Sequence, residues 1–195
     1  MFKIRNSLAE NIKAEEKSNR RFLGFTAVFV LILSVIFFLL TEVFFVVLVY
    51  GESMEPTLHS GDVLVVNSYG SIDNGDVIIV DHKGKWLIKR AIGVEGDRIK
   101  IKDGNVLVNG KILQEDYIKK QGSTENLQWS ENEYLVGEGE IFYLGDNRLN
   151  SSDSRIYGVC TTDDVKGVVE NWSYNVKGIS LFLHRLFYSS NVSSD

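Results

Sequence analysis

The chain has 195 residues, a formal net charge of −5 and a mean hydropathy of −0.03. That length holds one domain of ordinary size plus a smaller element, and the mild acidity gives no reason to expect a nucleic-acid partner. The single cysteine, Cys160, excludes an internal disulfide, and no cysteine–histidine spacing points to zinc, so no metal and no other cofactor is expected.

Residues 1–21 carry Lys3, Arg5, Lys13, Lys17, Arg20 and Arg21 against Glu10, Glu15 and Glu16, a net of +3. They read as a short cytoplasmic helix or tail. Phe22 to Leu40 then runs without a charge, and as a helix it would span about 28 Å, close to the ~30 Å of a hydrocarbon core. A signal peptide has a shorter apolar part and a small-residue cleavage site, which is missing here. A core helix would show polar positions. The segment 22–41 is therefore expected to be a retained transmembrane helix. The basic cluster before it and the absence of lysine or arginine from 22 to 82 put the N-terminus in the cytoplasm and the remainder outside. Val43–Tyr50 is rich in β-branched and aromatic residues, which predicts a strand leaving the membrane surface rather than more helix. The expected layout is a cytoplasmic tail (1–21), one membrane helix (22–41) and an extracytoplasmic, β-rich domain (42–195), with the lipid bilayer as one partner.

Beyond Gly61, short β-type runs alternate with glycine turns. Asp62–Asn67, Asp76–Asp81, Trp86–Ile92, Arg98–Lys102, Asn105–Val108, Glu140–Leu144 and Val165–Val169 are predicted strands. Asp103-Gly104 and Asn109-Gly110 predict tight turns. Residues 114–133 are polar and read as a loop or a small flexible insertion. Ser180–Tyr188 has the apolar spacing of a docked or interfacial terminal helix. Cys160 reads as a small buried apolar residue, and His59, His82 and His184 as ordinary surface or interface histidines.

Three stretches carry candidate chemistry. The first is Gly51-Glu52-Ser53-Met54-Glu55-Pro56-Thr57-Leu58, which holds the only proline of the chain. Proline restricts itself and its predecessor, so Ser53 is either a turn serine or a hydroxyl held for nucleophilic attack if a base lies nearby. The second is Trp86–Ile92, where strand alternation puts Lys89 on one face with Leu87 and Ala91. Lys89 is either an edge-strand lysine that discourages aggregation or a desolvated one. At the ordinary pKa only ~1 lysine in 2,500 is neutral at pH 7, whereas burial can bring the value to about 5–6 and leave an amine able to take a serine proton. The third, Gly145 to Arg155, is either a solvated polar loop or a hydrogen-bonded scaffold that orients other groups.

Together these stretches resemble the type I signal peptidases, or leader peptidases, of bacteria. The resemblance covers most of 22–172: an anchor, then Ser53-Met-x-Pro-Thr-Leu, then Lys89-Arg-x-Ile-Gly-x-x-Gly-Asp, then Gly145-Asp-Asn-Arg-x-x-Ser-x-Asp-Ser-Arg. It implies a mainly β, signal-peptidase-type domain behind one membrane helix. It implies Ser53 as nucleophile and Lys89 as general base of a Ser–Lys dyad, Ser151 as a hydroxyl that helps orient the lysine, and Asp153 with Arg155 as a structural ion pair beside the site. Arg90 and Gly145–Arg148 would be scaffold. The implied substrates are secreted preproteins cut after small residues at positions −1 and −3, with Val49 and Ile88 expected to line the pockets. Two departures stand out. Gly51 occupies a position where some members carry a serine that assists the oxyanion hole, so the hole here rests on backbone N–H groups, that of Ser53 first. Glu95 replaces a proline often found in the lysine motif. The rival readings are a non-catalytic relative in surface-protein or pilus assembly, which would be expected to lose the serine or the lysine, and a self-cleaving repressor of the same β fold, which would carry a DNA-binding domain.

Overall fold

The computed structural model describes residues 2–120, 123–125 and 132–175, and the chain divides into two compact units at Val43. The first unit is one helix, α1 (Phe2–Val43). The change from charged to apolar sequence near residue 21 does not break it, because Glu, Lys, Arg and Ala on one side and Leu and Phe on the other all tolerate the helix. Its stretch Asn19–Val43 is long and apolar enough to cross a membrane. At 25 residues it measures about 37 Å, longer than a ~30 Å hydrocarbon core, and would tilt there. The hydroxyls inside this stretch are satisfied within the helix. Thr26 donates to the carbonyl of Leu23 at 3.0 Å, Ser34 to Val30 at 2.9 Å and Thr41 to Phe38 at 2.7 Å. Such back-bonding removes the cost of an unpaired hydroxyl in lipid.

The second unit is β-rich. Its strands are β1 (Phe44–Leu48), β2 (Val63–Asn67), β3 (Val77–His82), β4 (Lys85–Gly93), β5 (Arg98–Lys102), β6 (Asn105–Val108), β7 (Lys111–Ile112), β8 (Tyr134–Leu135), β9 (Glu140–Leu144), β10 (Cys160–Thr161) and β11 (Val165–Val169), with short helices α2 (Ser154–Tyr157) and α3 (Asn171–Asn175). A seven-stranded sheet runs in the order β1-β2-β11-β3-β4-β9-β10, and a four-stranded sheet runs β7-β6-β5-β8. Neighbours pair antiparallel throughout. The turns Asp103-Gly104 and Asn109-Gly110 have positive φ at both residues, as two-residue hairpin turns require.

Alternation along the central strands divides the core. Ile79 of β3 joins Val49, Met54, Leu58, Leu64 and Val66 in one cluster, while its neighbours Ile78 and Val80 join Ala91, Ile141, Tyr143 and Cys160 in another. A third cluster, around Ile99, Val106 and Phe142, lies against the smaller sheet. Burial pushes the Cys160 thiol up to about 12, so it stays protonated and behaves as a small apolar group.

One expectation is qualified and one is corrected. β4 lies between β3 and β9, but β9 pairs with it only from Arg90 onward, so Lys85–Lys89 pair with β3 alone. The loop 114–133 is not a free insertion in its described part. Ile118 and Thr124 are buried, and buried Glu115 is ion-paired with Arg148. A polar loop reads as solvated from sequence because the residue that neutralises its acid lies far along the chain. The expected terminal helix Ser180–Tyr188, with His184, falls outside the described residues.

Candidate active site

Ser53 sits just after β1, in a turn that the core fixes from one side. Met54 and Leu58 are buried, and the Leu58 N–H donates to the Met54 carbonyl at 3.0 Å. The loop after β9 holds it from the other. The Asn147 N–H donates to the Ser53 carbonyl, and the Asn147 side-chain amide to the Glu52 carbonyl, each at 3.0 Å. Gly145 makes this approach possible. A Cβ there would lie 2.2 Å from Ser151 Oγ and 2.5 Å from the Ser53 carbonyl oxygen.

Lys89 enters from the middle of the large sheet. It is 3 % exposed. Its Nζ lies 2.7 Å from Ser53 Oγ and donates to the Ile88 carbonyl at 2.9 Å. Its pKa is lowered from 10.5 to about 8, chiefly because burial strips water from the charged amine; Asp153 and Asp146 oppose the shift and Arg155 adds to it. About one such amine in ten is neutral at pH 7, some two orders of magnitude more than in an ordinary lysine. A neutral amine at this distance can accept the serine proton.

The surrounding charges are paired. Arg155 and Asp153, both fully buried, meet through two bonds of 2.8 Å. Asp153 also accepts from the Gly145 N–H at 3.0 Å and caps α2. Arg155 donates in turn to the Arg148 carbonyl at 2.8 Å. On the other flank Arg90 grips Asp146 bidentately at 2.9 and 2.6 Å, and Thr57 donates its hydroxyl to the same carboxylate. The predicted pair Asp153–Arg155 and the predicted scaffold Arg90 and Gly145–Arg148 thus come together around the serine and the lysine.

Ser151 is different. Its Oγ is buried and has no hydrogen-bond partner, so it makes no bond to Lys89 in this state. Sequence reading missed Glu115, Thr124, Thr57 and Tyr117, whose ring lies 4.1 Å under the Arg90 guanidinium. Only Thr57, inside the serine stretch, carried any signal.

Val49 and Ile88 both line a cleft of about 220 Å³ that also includes Met54, Ile79, Ser53 and Lys89. This is smaller than the ~300–1,000 Å³ of typical ligand pockets and suits small side chains beside an extended backbone. A larger hollow of about 770 Å³, lined by Lys100, Lys102 and Lys120 among others, shares no residue with the serine–lysine pair. Among the described residues, no group of His, Cys, Asp and Glu side chains is placed to hold a metal ion.

A mainly β domain that sets a serine hydroxyl against a buried, low-pKa lysine at an apolar cleft has the make-up of a Ser–Lys endopeptidase. Residues 22–173 match the model of the family "Signal peptidase, peptidase S26". The chain is 33 % identical over 168 residues to signal peptidase I P of Bacillus subtilis subsp. natto, covering 80 % of this chain and 91 % of that one. It is 38 % identical over 172 residues to signal peptidase I of Bacillus caldolyticus, covering 81 % and 92 %. A crystal structure of a signal peptidase I from Enterococcus faecalis V583 aligns at 30 % identity and a TM-score of 0.45, over 52 % of this chain and 98 % of that one. The chain belongs to the signal peptidase family.

Proposed function

We propose that this protein removes signal peptides from secreted preproteins, cutting after small residues, with Ser53 as nucleophile and Lys89 as general base. The observation that carries this reading is the 2.7 Å contact between Lys89 Nζ and Ser53 Oγ at the mouth of an apolar cleft lined by Val49 and Ile88. The neutral amine takes the hydroxyl proton as the oxygen attacks the scissile carbonyl. The developing oxyanion is held by backbone N–H groups. That of Ser53 is the first donor, since it makes no hydrogen bond among the described residues. The protonated lysine returns its proton to the departing amine, leaving an acyl-enzyme on Ser53. Neutral again, Lys89 deprotonates a water that releases the signal peptide and restores the serine.

Ser151 is assigned to hold the lysine. A neutral Lys89 has one N–H on Ile88 and its lone pair on the serine, which leaves one N–H for a nearby acceptor. The buried, unpartnered hydroxyl beside Gly145 supplies one when substrate tightens the site. Asp153 and Arg155 fix the loop that presents it.

In this reading residues 1–21 are cytoplasmic, residues 22–41 span the membrane and the domain from 42 onward lies outside. The basic residues cluster before the apolar stretch and are absent from 22 to 82. The substrate's apolar segment would share the bilayer with the anchor, which raises the local encounter rate. Two features argue against a non-catalytic assembly factor: the intact serine–lysine contact and the lowered lysine pKa.

The test is a preprotein peptide whose signal ends in Ala-x-Ala, incubated with the full chain in lipid and read by mass spectrometry. A cut directly after the final alanine by the wild type, and none by Ser53→Ala, is expected. No cut at that bond on any of several such peptides would overturn the proposal.

A further inference from the structure

The serine–lysine pair borders a second hollow besides the apolar cleft. About 550 Å³ in volume, it shares Gly51, Ser53, Leu87 and Lys89 with the cleft but extends to Glu52, Asn150, Ser152 and Tyr157. A peptide bond attacked by Ser53 has residues on both sides. If the apolar cleft takes the small residues before the bond, the residues after it fall to this second, more polar hollow. On that footing, which rests on the proposed function, we infer that Glu52 makes the second hollow a specificity site for the residues following the cut, favouring basic side chains over acidic ones.

Glu52 is the only carboxylate among the residues that line the hollow, and the only cation among them, Lys89, is buried at 3 % exposure. The Glu52 side chain is exposed but not loose. The Glu52 backbone carbonyl accepts from the Asn147 side-chain amide at 3.0 Å and from the Glu55 N–H at 3.1 Å, which holds the main chain, and the side-chain Oε2 accepts from the Asn150 amide at 3.3 Å. Among the described residues Oε1 accepts no hydrogen bond and no cation pairs with the carboxylate. Tyr157 also lines the hollow, with its ring stacked on His82 at 4.2 Å between centroids. A lysine or arginine side chain can lay its aliphatic stem or guanidinium on such a ring while its charge meets the carboxylate. An acidic side chain meets like charge. Glu52 thus acts on the substrate without taking part in proton transfer.

The experiment compares three Ala-x-Ala peptides that differ only in carrying Lys, Gln or Glu at the first two positions after the cut. Exposed charge pairs give small effects, so attraction in one peptide and repulsion in the other predict that wild type favours Lys over Glu by about five-fold in kcat/KM. The preference should shrink toward one in Glu52→Gln, reverse in Glu52→Lys, and fall in wild type as salt rises from about 0.05 to 0.5 M. Taking ratios within each enzyme cancels any effect of the substitution on Lys89. Cleavage of all three peptides by wild type at equal rates, or a preference that survives Glu52→Gln, would overturn the inference and leave the peptidase reading standing. No cleavage even of the Gln peptide would overturn both.

Discussion

Lys89 shows that the proposed chemistry is bought with stability. The unfolded chain keeps its lysine proton up to about pH 10.5, while the folded chain holds it only to about 8. Below pH 8 both states are protonated and the folded state carries the full cost of the buried charge, roughly 3 kcal/mol. Between pH 8 and 10.5 the unfolded state binds more protons, so this cost disappears as pH rises. Lys89→Met should therefore abolish cleavage yet raise stability by roughly 1–3 kcal/mol at pH 7, measured by urea unfolding of the full chain in detergent. Ser151→Ala makes the opposite separation. Removing a buried hydroxyl that has no partner should leave stability within about 0.5 kcal/mol or raise it. If the hydroxyl positions the lysine in the substrate complex, kcat should still fall by about ten-fold or more. An unchanged kcat would remove Ser151 from the mechanism. Gly145→Ala drives a methyl against Ser151 Oγ and the Ser53 carbonyl, and a shift of about 1 Å in the nucleophile should cost on the order of 10² in kcat.

At the scale of elements, the site is made where three segments converge: the turn after β1, the middle of β4 and the loop between β9 and α2. The strands were legible in the sequence because β-branched runs and glycine turns are local signals. The two-residue strands β7, β8 and β10 left no alternation to read. Ser53 and Lys89 were legible only together, since each alone has an ordinary structural meaning, and their 2.7 Å contact depends on pairing across the whole sheet. The pinning of Glu115 and Thr124 was not legible. Glu115 and Thr124 look like solvated polar residues until Arg148 closes on both. That pinning predicts a structural effect. Glu115→Ala leaves the Arg148 guanidinium buried without its carboxylate and should destabilise the domain by about 3–5 kcal/mol, read as a lower urea midpoint. A change below about 1 kcal/mol would mean that water reaches the arginine.

For the whole molecule, composition pointed to the long apolar helix of the first unit but not to its bounds, since one helix runs from Phe2 to Val43. A charge-free stretch of this length is legible because bilayer thickness sets the length of helix needed to cross it. From sequence the helix was expected to end at residue 41 and the strand to begin at Val43; the helix instead continues to Val43 and β1 begins at Phe44. With the proposed orientation, protease added outside intact cells should destroy the domain beyond residue 43 while sparing an epitope tag on residue 1. Loss of the tag before the domain would reverse the topology.

The most direct test of the central assignment is the pH dependence of kcat/KM for the Ala-x-Ala preprotein peptide, with Ser53→Ala and Lys89→Ala as companions. The free enzyme should gain activity as the lysine loses its proton, with the rise centred near pH 8, and both variants should be folded and inactive. A rise centred near 10.5, or substantial activity in Lys89→Ala, would contradict the assignment of Lys89 as the base.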